Sequence, residues 1–145
     1  MLIKQISVFI ENKSGRLAEI TGLLGKEGIN IHALSIADTT DFGILRLIVD
    51  TPEKAEKCLK DYGLTVKATD VIAITVAHVP GGLSKALEAL DAEHIFIEYM
   101  YAFTGSSPVT QSAMVILRVD DQEKAIKVLE KTGVGVLTQE IVNKL

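Results

Sequence analysis

The chain has 145 residues, of which 48% are hydrophobic, and a formal net charge of −4. Neither half is basic, and no cluster of lysine or arginine alternates with aromatic residues, which argues against binding along a nucleic-acid backbone. A single cysteine excludes an internal disulfide and cysteine-rich zinc sites. No apolar run reaches signal-peptide or membrane-spanning length, so we expect a cytoplasmic protein.

The N-terminal segment predicts a strand, a polar turn, a helix and the start of a second strand. The turn at Asn12–Gly15 places Ser14 where a helix N-cap is expected. Leucine and isoleucine then recur at helical spacing, and Gly28 lies where a left-handed residue would end the helix, before a strand that opens at Ile29. The N-terminus of such a helix offers unpaired N–H groups to a small anion such as a carboxylate.

The following segment completes a βαββαβ unit. Asp38–Gly43 is typical of a hairpin turn, and it leads into a predicted strand at Ile44–Val49. Pro52 opens a second helix at the first helical position, where the missing N–H breaks no hydrogen bond, and Gly63 ends that helix. A short strand near Leu64–Thr69 closes the unit.

The rest of the chain repeats this unit. An offset of 66 relates the two copies without a gap through the second strand, as in Gly15 and Gly81. After the hairpin the offset becomes 70, as in Asp50 and Asp120, so the second copy has four additional residues in its hairpin loop. We expect this loop, near Thr104–Gln111, to be a mobile surface excursion. A repeat of this kind predicts two copies of one fold.

The fold class that follows is α+β, with two ferredoxin-like βαββαβ units side by side, each an antiparallel sheet with its helices on one face. The domains are residues 1–70 and 71–145, joined at Thr69-Asp70 without a flexible linker. Val71–Ala77 and Ala113–Val119 are apolar at nearly every position, which indicates strands covered on both faces. Because the helices cover only one face, we expect a second copy to cover the other, in a homodimer.

A short motif surrounds the predicted first helix of the first copy. A strand is followed by a turn with glycine, a leucine two residues later, a helix, and then Gly-Ile-Asn-Ile, here at Asn12–Leu17 and Gly28–Ile31. In this motif the sequence resembles the ACT domain family, across the whole chain as a tandem pair and more closely in the first copy. The resemblance implies a regulatory protein without catalytic residues or a cofactor, which binds a free amino acid between two ACT units and signals to an enzyme. It also implies that two units join through their second strands, about Ile29–Ala37 and Ile95–Phe103.

The same resemblance assigns the ligand-binding residues to two loops and two strands, each loop facing the second strand of the other unit. In the first copy they are Asn12, Ser14, Gly15, Arg16 and Leu17 on the loop, with Asn30 and Ile31 on the strand. In the second copy they are His78, Pro80, Gly81, Gly82 and Leu83 on the loop, with Phe96 and Ile97 on the strand.

A zwitterionic amino acid fits the chemistry of the first loop. The N–H groups of Ser14–Leu17 could hold the carboxylate, and side-chain oxygens of Asn12 or Asn30 could accept from the ammonium. The alternative is purely structural, with Asn12 and Ser14 capping the helix and Arg16 in solvent.

The two copies are not equivalent in these residues. Phe96 stands where the first copy has Asn30, and Pro80 stands where it has Ser14 and removes one backbone donor. We therefore expect the two sites to bind the same amino acid with unequal affinity, since a buried ammonium short of acceptors is penalised.

Metal and catalytic chemistry have little support in the sequence. His32, His78 and His94 show no metal-ligand spacing, and we expect no metal site. The glycines form neither a GxGxxG nor a GxxxxGK motif, and no serine or cysteine stands in a recognisable nucleophile setting. A small enzyme on the same scaffold would need an acid–base pair, for which Glu98 with His78 is the candidate.

Two regulatory functions therefore remain open. The first is a stand-alone amino-acid-binding protein. The second is the regulatory subunit of a separate amino-acid biosynthetic enzyme, because ISVFIENKSGRLAEITGLLGKEGIN resembles the opening of the small subunit of acetolactate synthase. Against that identity, the second half is another ACT-like repeat with matched spacing. Co-purification of a catalytic partner would separate the two.

Overall fold

The computed structural model describes residues 1–38, 41–103 and 112–145. The expected loop at Thr104–Gln111 lies outside the described residues, as does part of the expected turn at Asp38–Gly43. The elements, in chain order, are β1 (Ile3–Glu11), α1 (Arg16–Lys26), β2 (Ile31–Asp38), β3 (Phe42–Val49), α2 (Pro52–Asp61), β4 (Thr65–Ala77), α3 (Gly82–Ala92), β5 (Ile97–Ala102), β6 (Ser112–Val119), α4 (Gln122–Lys131), β7 (Gly135–Val136) and α5 (Gln139–Asn143). This order confirms an α+β fold built from two ferredoxin-like units.

The chain divides into two compact units. The N-terminal unit comprises Lys4–Thr69 with Asn143–Leu145, and the C-terminal unit comprises Met1–Ile3 with Asp70–Val142. Each unit therefore contains one copy of the repeat and a few residues from the opposite end of the chain.

The N-terminal unit is an antiparallel sheet with a core on its helical side. β3 pairs with both β1 and β2, and opposed residues such as Val8 and Leu45 put their side chains on the same face. α1 and α2 pack their apolar stripes onto that face. The buried core residues are Ile6, Val8, Ile10, Ile20, Leu24, Ile29, Leu45, Leu47, Val49, Ala55 and Leu59.

The C-terminal unit follows the same plan. β6 pairs antiparallel with β4 and β5, and β7 adds a short pairing to β4. α3 and α4 cover one face, in accord with the repeat. The buried core residues are Ile72, Ile74, Val76, Ala86, Leu90, Ile95, Val115, Leu117, Val119, Ala125 and Leu129.

The two predicted strands around the domain joint are one strand. β4 runs without interruption from Thr65 to Ala77, so the expectation of two separate strands, near Leu64–Thr69 and at Val71–Ala77, is wrong. No glycine or proline interrupts this segment, and an extended backbone continues through Asp70. The boundary between the two units falls inside this strand.

The second strands of the two repeats are edge strands. β2 pairs with β3 and β5 pairs with β6, and among the described residues neither has another strand neighbour. The expected pairing of Ile29–Ala37 with Ile95–Phe103 is therefore wrong within one chain. One backbone edge of β2 pairs with β3, and one backbone edge of β5 pairs with β6. Among the described residues, no strand pairs with the other edge of either one.

The apolar residues that motivated a homodimer are already buried in a single chain. Val71, Ala73 and Ile116, on the side of the sheet away from the core helices, each have a relative exposure of 0%. The expectation that these residues need a second copy to cover them is therefore wrong. A homodimer has to rest on other surfaces.

The first helix of each repeat ends in a left-handed residue. Gly28 has a φ of +70°, as its position in the sequence predicts. The equivalent residue in the second repeat is His94, which has a φ of +56°. A side chain in this conformation is strained by roughly 1–2 kcal/mol relative to glycine.

The second repeat ends differently from the first. Its last strand is reduced to β7, and α5 follows, with Val142 fully buried. Gly135 lies so close to β4 that a Cβ there would be 2.3 Å from Thr75 Oγ1. The repeat alone did not predict the added helix.

Candidate functional site

The first loop joins β1 to α1 through a tight turn. Arg16 N–H donates to the Lys13 carbonyl oxygen at 3.2 Å, and Gly15 has a φ of +83°. Gly15 is the residue before the helix, and no side chain caps the first turn. The prediction of Ser14 as N-cap is wrong, because the left-handed Gly15 stands between the serine and the helix.

Most of the predicted ligand residues of this loop are exposed, and Arg16 is the half-buried exception. Its Nη1 donates to Glu19 Oε2 at 3.2 Å, and the Tyr62 hydroxyl at the end of α2 donates to Glu19 Oε1. The Tyr62 hydrogen bond first, and Arg16 second, lower the pKa of the Glu19 carboxyl from its ordinary value. The Arg16 side chain thus takes part in a polar cluster within its own unit.

The second loop has the same turn with a tighter backbone. Gly82 N–H donates to the Val79 carbonyl oxygen at 3.0 Å, and Gly81 has a φ of +80°. A Cβ at Gly82 would lie 1.9 Å from the Ala77 carbonyl oxygen. This position therefore requires glycine, for a packing reason that the sequence pattern did not reveal.

A cavity of about 210 Å³ lies beside the second loop, entirely within the C-terminal unit. We call it the C-terminal cavity. Its lining includes Thr75 of β4, Pro80 and Gly82 of the loop, Lys85 of α3, and Thr132 and Val134 after α4. It thus combines one cation, Lys85, with mostly apolar walls.

The predicted second-strand residues begin β2 and β5, at the other end of each unit from the loops. Asn30 and Phe96 are exposed, and Phe96 is 66% accessible. In the N-terminal unit, Phe42 at the start of β3 pairs with Glu11, and Val49 at its end pairs with Ile31. The length of β3 therefore separates the first loop from the start of β2 by about 23 Å. Neither unit brings its own loop and its own second-strand residues together. That each loop faces the second strand of the other unit stays a prediction.

The candidate acid–base pair of the enzyme alternative is not brought together. His78 follows the residue that pairs with Ser112 at the start of β6, and Glu98 precedes the residue that pairs with Arg118 near its end. His78 and Glu98 are therefore about 20 Å apart along β6. Glu98 Oε2 instead accepts from Arg118 Nε at 3.3 Å. This pair is wrong as a catalytic centre.

Three polar residues of the C-terminal cavity were not predicted as site residues: Thr75, Lys85 and Thr132. The sequence did contain a signal for Lys85. The offset of 66 aligns it with Glu19, so the charge at this position is reversed between the two repeats. The contact between the start of α3 and the end of α4 that makes the cavity is not readable from either segment alone.

The described ranges hold neither a metal cluster nor a membrane-spanning helix. No group of three or more His, Cys, Asp or Glu side chains there is placed to hold a metal ion. None of the helices there is long and apolar enough to cross a membrane.

Comparison with known proteins identifies the fold family. The sequence model described as an ACT domain pair matches residues 1–145, the entire chain. The chain belongs to the ACT domain pair family. This confirms the tandem resemblance across both copies, including the second copy with its altered loop.

Similar solved structures agree with this ACT pair assignment. Protein BT0572 from Bacteroides thetaiotaomicron is 48% identical with a TM-score of 0.91, over 100% of this chain and 98% of that one. The ligand-free regulatory subunit of aspartate kinase from Thermus thermophilus is 19% identical with a TM-score of 0.66, over 90% and 93% of the two chains. At that identity the second structure supports the fold alone.

Curated relatives match shorter stretches. The acetolactate synthase small subunit of Buchnera aphidicola subsp. Baizongia pistaciae is 31% identical over 71 residues, which are 48% of this chain and 44% of that protein. The isozyme 3 small subunit of Escherichia coli K12 is 39% identical over 46 residues, which are 32% and 28% of the two chains. The matches thus span less than half of each relative. The curated relatives that this ACT pair matches are named as small subunits of acetolactate synthase.

Proposed function

We propose that this ACT pair is a cytoplasmic regulatory protein that binds a free amino acid where two ACT domains meet and signals its presence to a separate enzyme. The domains are residues 1–70 and 71–145. Membership of the ACT domain pair family over the whole chain is the observation that carries the proposal. The two glycine turns at the starts of α1 and α3 support it, because helix N-termini favour a carboxylate.

The proposed ligand contacts are the loop and strand residues of both repeats. They are Asn12, Ser14, Gly15, Arg16, Leu17, Asn30, Ile31, His78, Pro80, Gly81, Gly82, Leu83, Phe96 and Ile97. Asn12 and His78 occupy equivalent exposed positions at the entrances of the two loops. Their different side chains are a reason to expect unequal affinities at the two sites.

The proposed assembly is a homodimer in which edge strands of two chains pair. β2 is the best candidate, since its backbone edge has no second neighbour in the described residues and Leu34 and Ile36 are 40% and 44% exposed. Neither lysine nor proline protects this strand against pairing. Pairing between chains would supply the junction of second strands that a single chain does not make.

A second function is the regulatory subunit of an acetolactate-synthase-like enzyme. The relatives named as acetolactate synthase small subunits match part of this chain and support this alternative. It predicts a stable complex with a catalytic subunit, whereas a stand-alone regulator would purify without one. Affinity purification of the tagged chain from its own cells, with and without added amino acids, tests the difference.

Thermal unfolding with each of the twenty amino acids tests ligand binding. At 100 times its dissociation constant, a specific ligand should stabilise the protein by about 2.7 kcal/mol. Asn12→Ala and His78→Ala should each reduce the shift, and Lys57→Ala on α2, away from both loops, should not. If none of the amino acids raises the melting temperature, the proposed ligand class is wrong.

A further inference from the structure

We propose that the C-terminal cavity is a binding site for the carboxylate of a small organic acid, and that the equivalent place in the N-terminal unit is closed by the protein's own carboxylate, Glu19. This goes beyond the proposed function. It concerns a cavity inside one unit, needs no ammonium group on the ligand, and includes Thr75, Lys85 and Thr132, which the resemblance did not assign.

The internal repeat provides the first step, because it identifies the equivalent residues in the two units. The offset of 66 relates Lys85 to Glu19, and the offset of 70 relates Thr132 to Tyr62. Arg16 likewise corresponds to Gly82. All three substitutions thus fall at the same place between the first helix and the end of the second.

In the N-terminal unit these three residues form a complete carboxylate site. Glu19 accepts from the Arg16 guanidinium on one oxygen and from the Tyr62 hydroxyl on the other. A guanidinium and a hydroxyl are typical donors to a carboxylate. The fold at this place can therefore hold a carboxylate between its two helices, and in this unit Glu19 supplies it.

In the C-terminal unit the carboxylate is missing and the charge is reversed. The Lys85 side chain has neither an ion-pair nor a hydrogen-bond partner among the described residues, and it lines the cavity. Glu88, one turn along α3, accepts instead from Ser84 at 3.0 Å. An external carboxylate in the cavity would balance the charge of Lys85.

The space also follows from the substitutions. Threonine replaces the tyrosine ring at position 132, and glycine replaces the arginine side chain at position 82. Gly82 cannot gain a side chain, because its Cβ would overlap the Ala77 carbonyl oxygen. What remains is about 210 Å³, below the roughly 300–1,000 Å³ of pockets for drug-sized ligands.

The walls define the rest of the ligand. Val79, Pro80 and Val134 contribute apolar surface, and Thr132 lies at the end of α4 beside them. The Thr132 hydroxyl donates to the Val128 and Leu129 carbonyl oxygens, at 3.1 and 3.0 Å, so its one hydrogen is already used within the protein and Lys85 is left as the contact for the ligand's charge. The structure therefore favours a short aliphatic carboxylic acid whose charge contacts Lys85.

Two-dimensional ¹H–¹⁵N NMR on the full chain tests this site, with propionate as the probe and propionamide as its neutral match. Propionate should shift the amides of Gly81–Lys85 and Thr132–Val134, and not those of Gly15–Glu19 or Tyr62–Leu64. Propionamide should shift none of them. Because the contact is between charges near the surface, added salt should weaken it.

Lys85→Glu gives this position the residue of the first repeat and should weaken propionate binding about tenfold or more. Lys127→Glu makes the same charge change on α4, outside the cavity lining, and should leave binding within about twofold of wild type. Thr132→Tyr, again the residue of the first repeat, should fill the cavity and also weaken binding.

Equal shifts with propionate and propionamide would overturn the site, and so would equal effects of Lys85→Glu and Lys127→Glu. Shifts confined to the first repeat would do the same. The amino-acid screen distinguishes this failure from failure of the proposed function. A stabilising amino acid without propionate shifts at Lys85 leaves the regulatory function standing and overturns the cavity site, whereas propionate binding without a stabilising amino acid supports the cavity site alone.

Discussion

Asp50 Oδ1 accepts the backbone N–H of Asn30 at 3.2 Å, and the Asp50 N–H donates to the Asn30 carbonyl oxygen at 3.2 Å. The second repeat has the same reciprocal pair between Asp120 and Phe96, with both distances 3.1 Å. In each unit the aspartate that follows β3 or β6 thus bonds the residue that precedes the neighbouring edge strand, β2 or β5. The interaction uses only the backbone at positions 30 and 96, which explains why asparagine and phenylalanine can occupy equivalent places.

Removing either aspartate should therefore destabilise its unit. We expect Asp50→Ala and Asp120→Ala each to lower the free energy of unfolding by about 1–2 kcal/mol, since each removes a charged acceptor from a backbone N–H at a partly exposed site. Urea denaturation measures the change. Asn30→Ala is the matched control and should change it by less than about 0.5 kcal/mol. An equal loss in the control would mean that the asparagine side chain, not the backbone contact, is what stabilises this end.

The left-handed His94 offers a stabilising substitution. His94→Gly should raise the free energy of unfolding by about 0.5–1 kcal/mol, because relief of the strained φ exceeds the added flexibility of glycine in the unfolded chain. Gly28→Ala makes the opposite change at the equivalent position and should be destabilising by about 1 kcal/mol. Thermal and urea unfolding of both variants provide the measurement. If His94→Gly destabilises, the histidine side chain makes a contact that outweighs the strain.

The hydroxyl of Tyr62 should control the ionisation of Glu19. Tyr62→Phe removes the largest cause of the lowered carboxyl pKa, so that pKa should rise toward its ordinary value of 4.5 in an NMR titration. A carboxyl whose pKa is lower in the folded state stabilises fully above its unfolded pKa, and this contribution is lost as pH falls through the folded value. The variant should therefore lose less stability on acidification. The lowered pKa of Glu11, which Lys13 causes, is the control and should not move.

Two glycines in equivalent helices should respond oppositely to alanine. Gly82→Ala places a Cβ 1.9 Å from the Ala77 carbonyl oxygen and should be destabilising by about 1–3 kcal/mol. Gly22 lies exposed inside α1, and a Cβ added there would meet no atom within 4 Å, so Gly22→Ala should be stabilising by roughly 0.5–1 kcal/mol. Calorimetry would show the two signs directly. Tolerance of Gly82→Ala would mean that the loop can move away from β4 with little loss of stability.

Local signals in the sequence predicted the helices and their ends well. Pro52 begins α2, and Gly28 and Gly63 adopt the left-handed conformation that ends a helix, because these residue types carry their backbone preference with them. Hydrophobic spacing likewise placed Ile20 and Leu24 on the buried face of α1. The repeat extended these predictions to the second half without new information.

Features that depend on distant parts of the chain were not predictable in this way. The continuity of β4 depends on its pairing with other strands. The residue type at position 70, an aspartate, does not by itself indicate whether a strand continues or breaks there. The N-cap was misassigned because serine and a left-handed glycine can both precede a helix, and only the turn geometry chooses Gly15. The C-terminal cavity needs residues from β4, α3 and the end of α4 at once, and hydrophobic patterns do not report such convergence.

The passage of β4 through the unit boundary has a consequence for how such a gene can be divided. A half-length chain that stopped at Thr69 would end after the fifth residue of a thirteen-residue strand and would lack Asn143–Leu145. A complementary half that began at Asp70 would lack Met1–Ile3. Neither half corresponds to a unit of the folded protein, so a chain cut at the repeat boundary would leave each unit without some of its own residues.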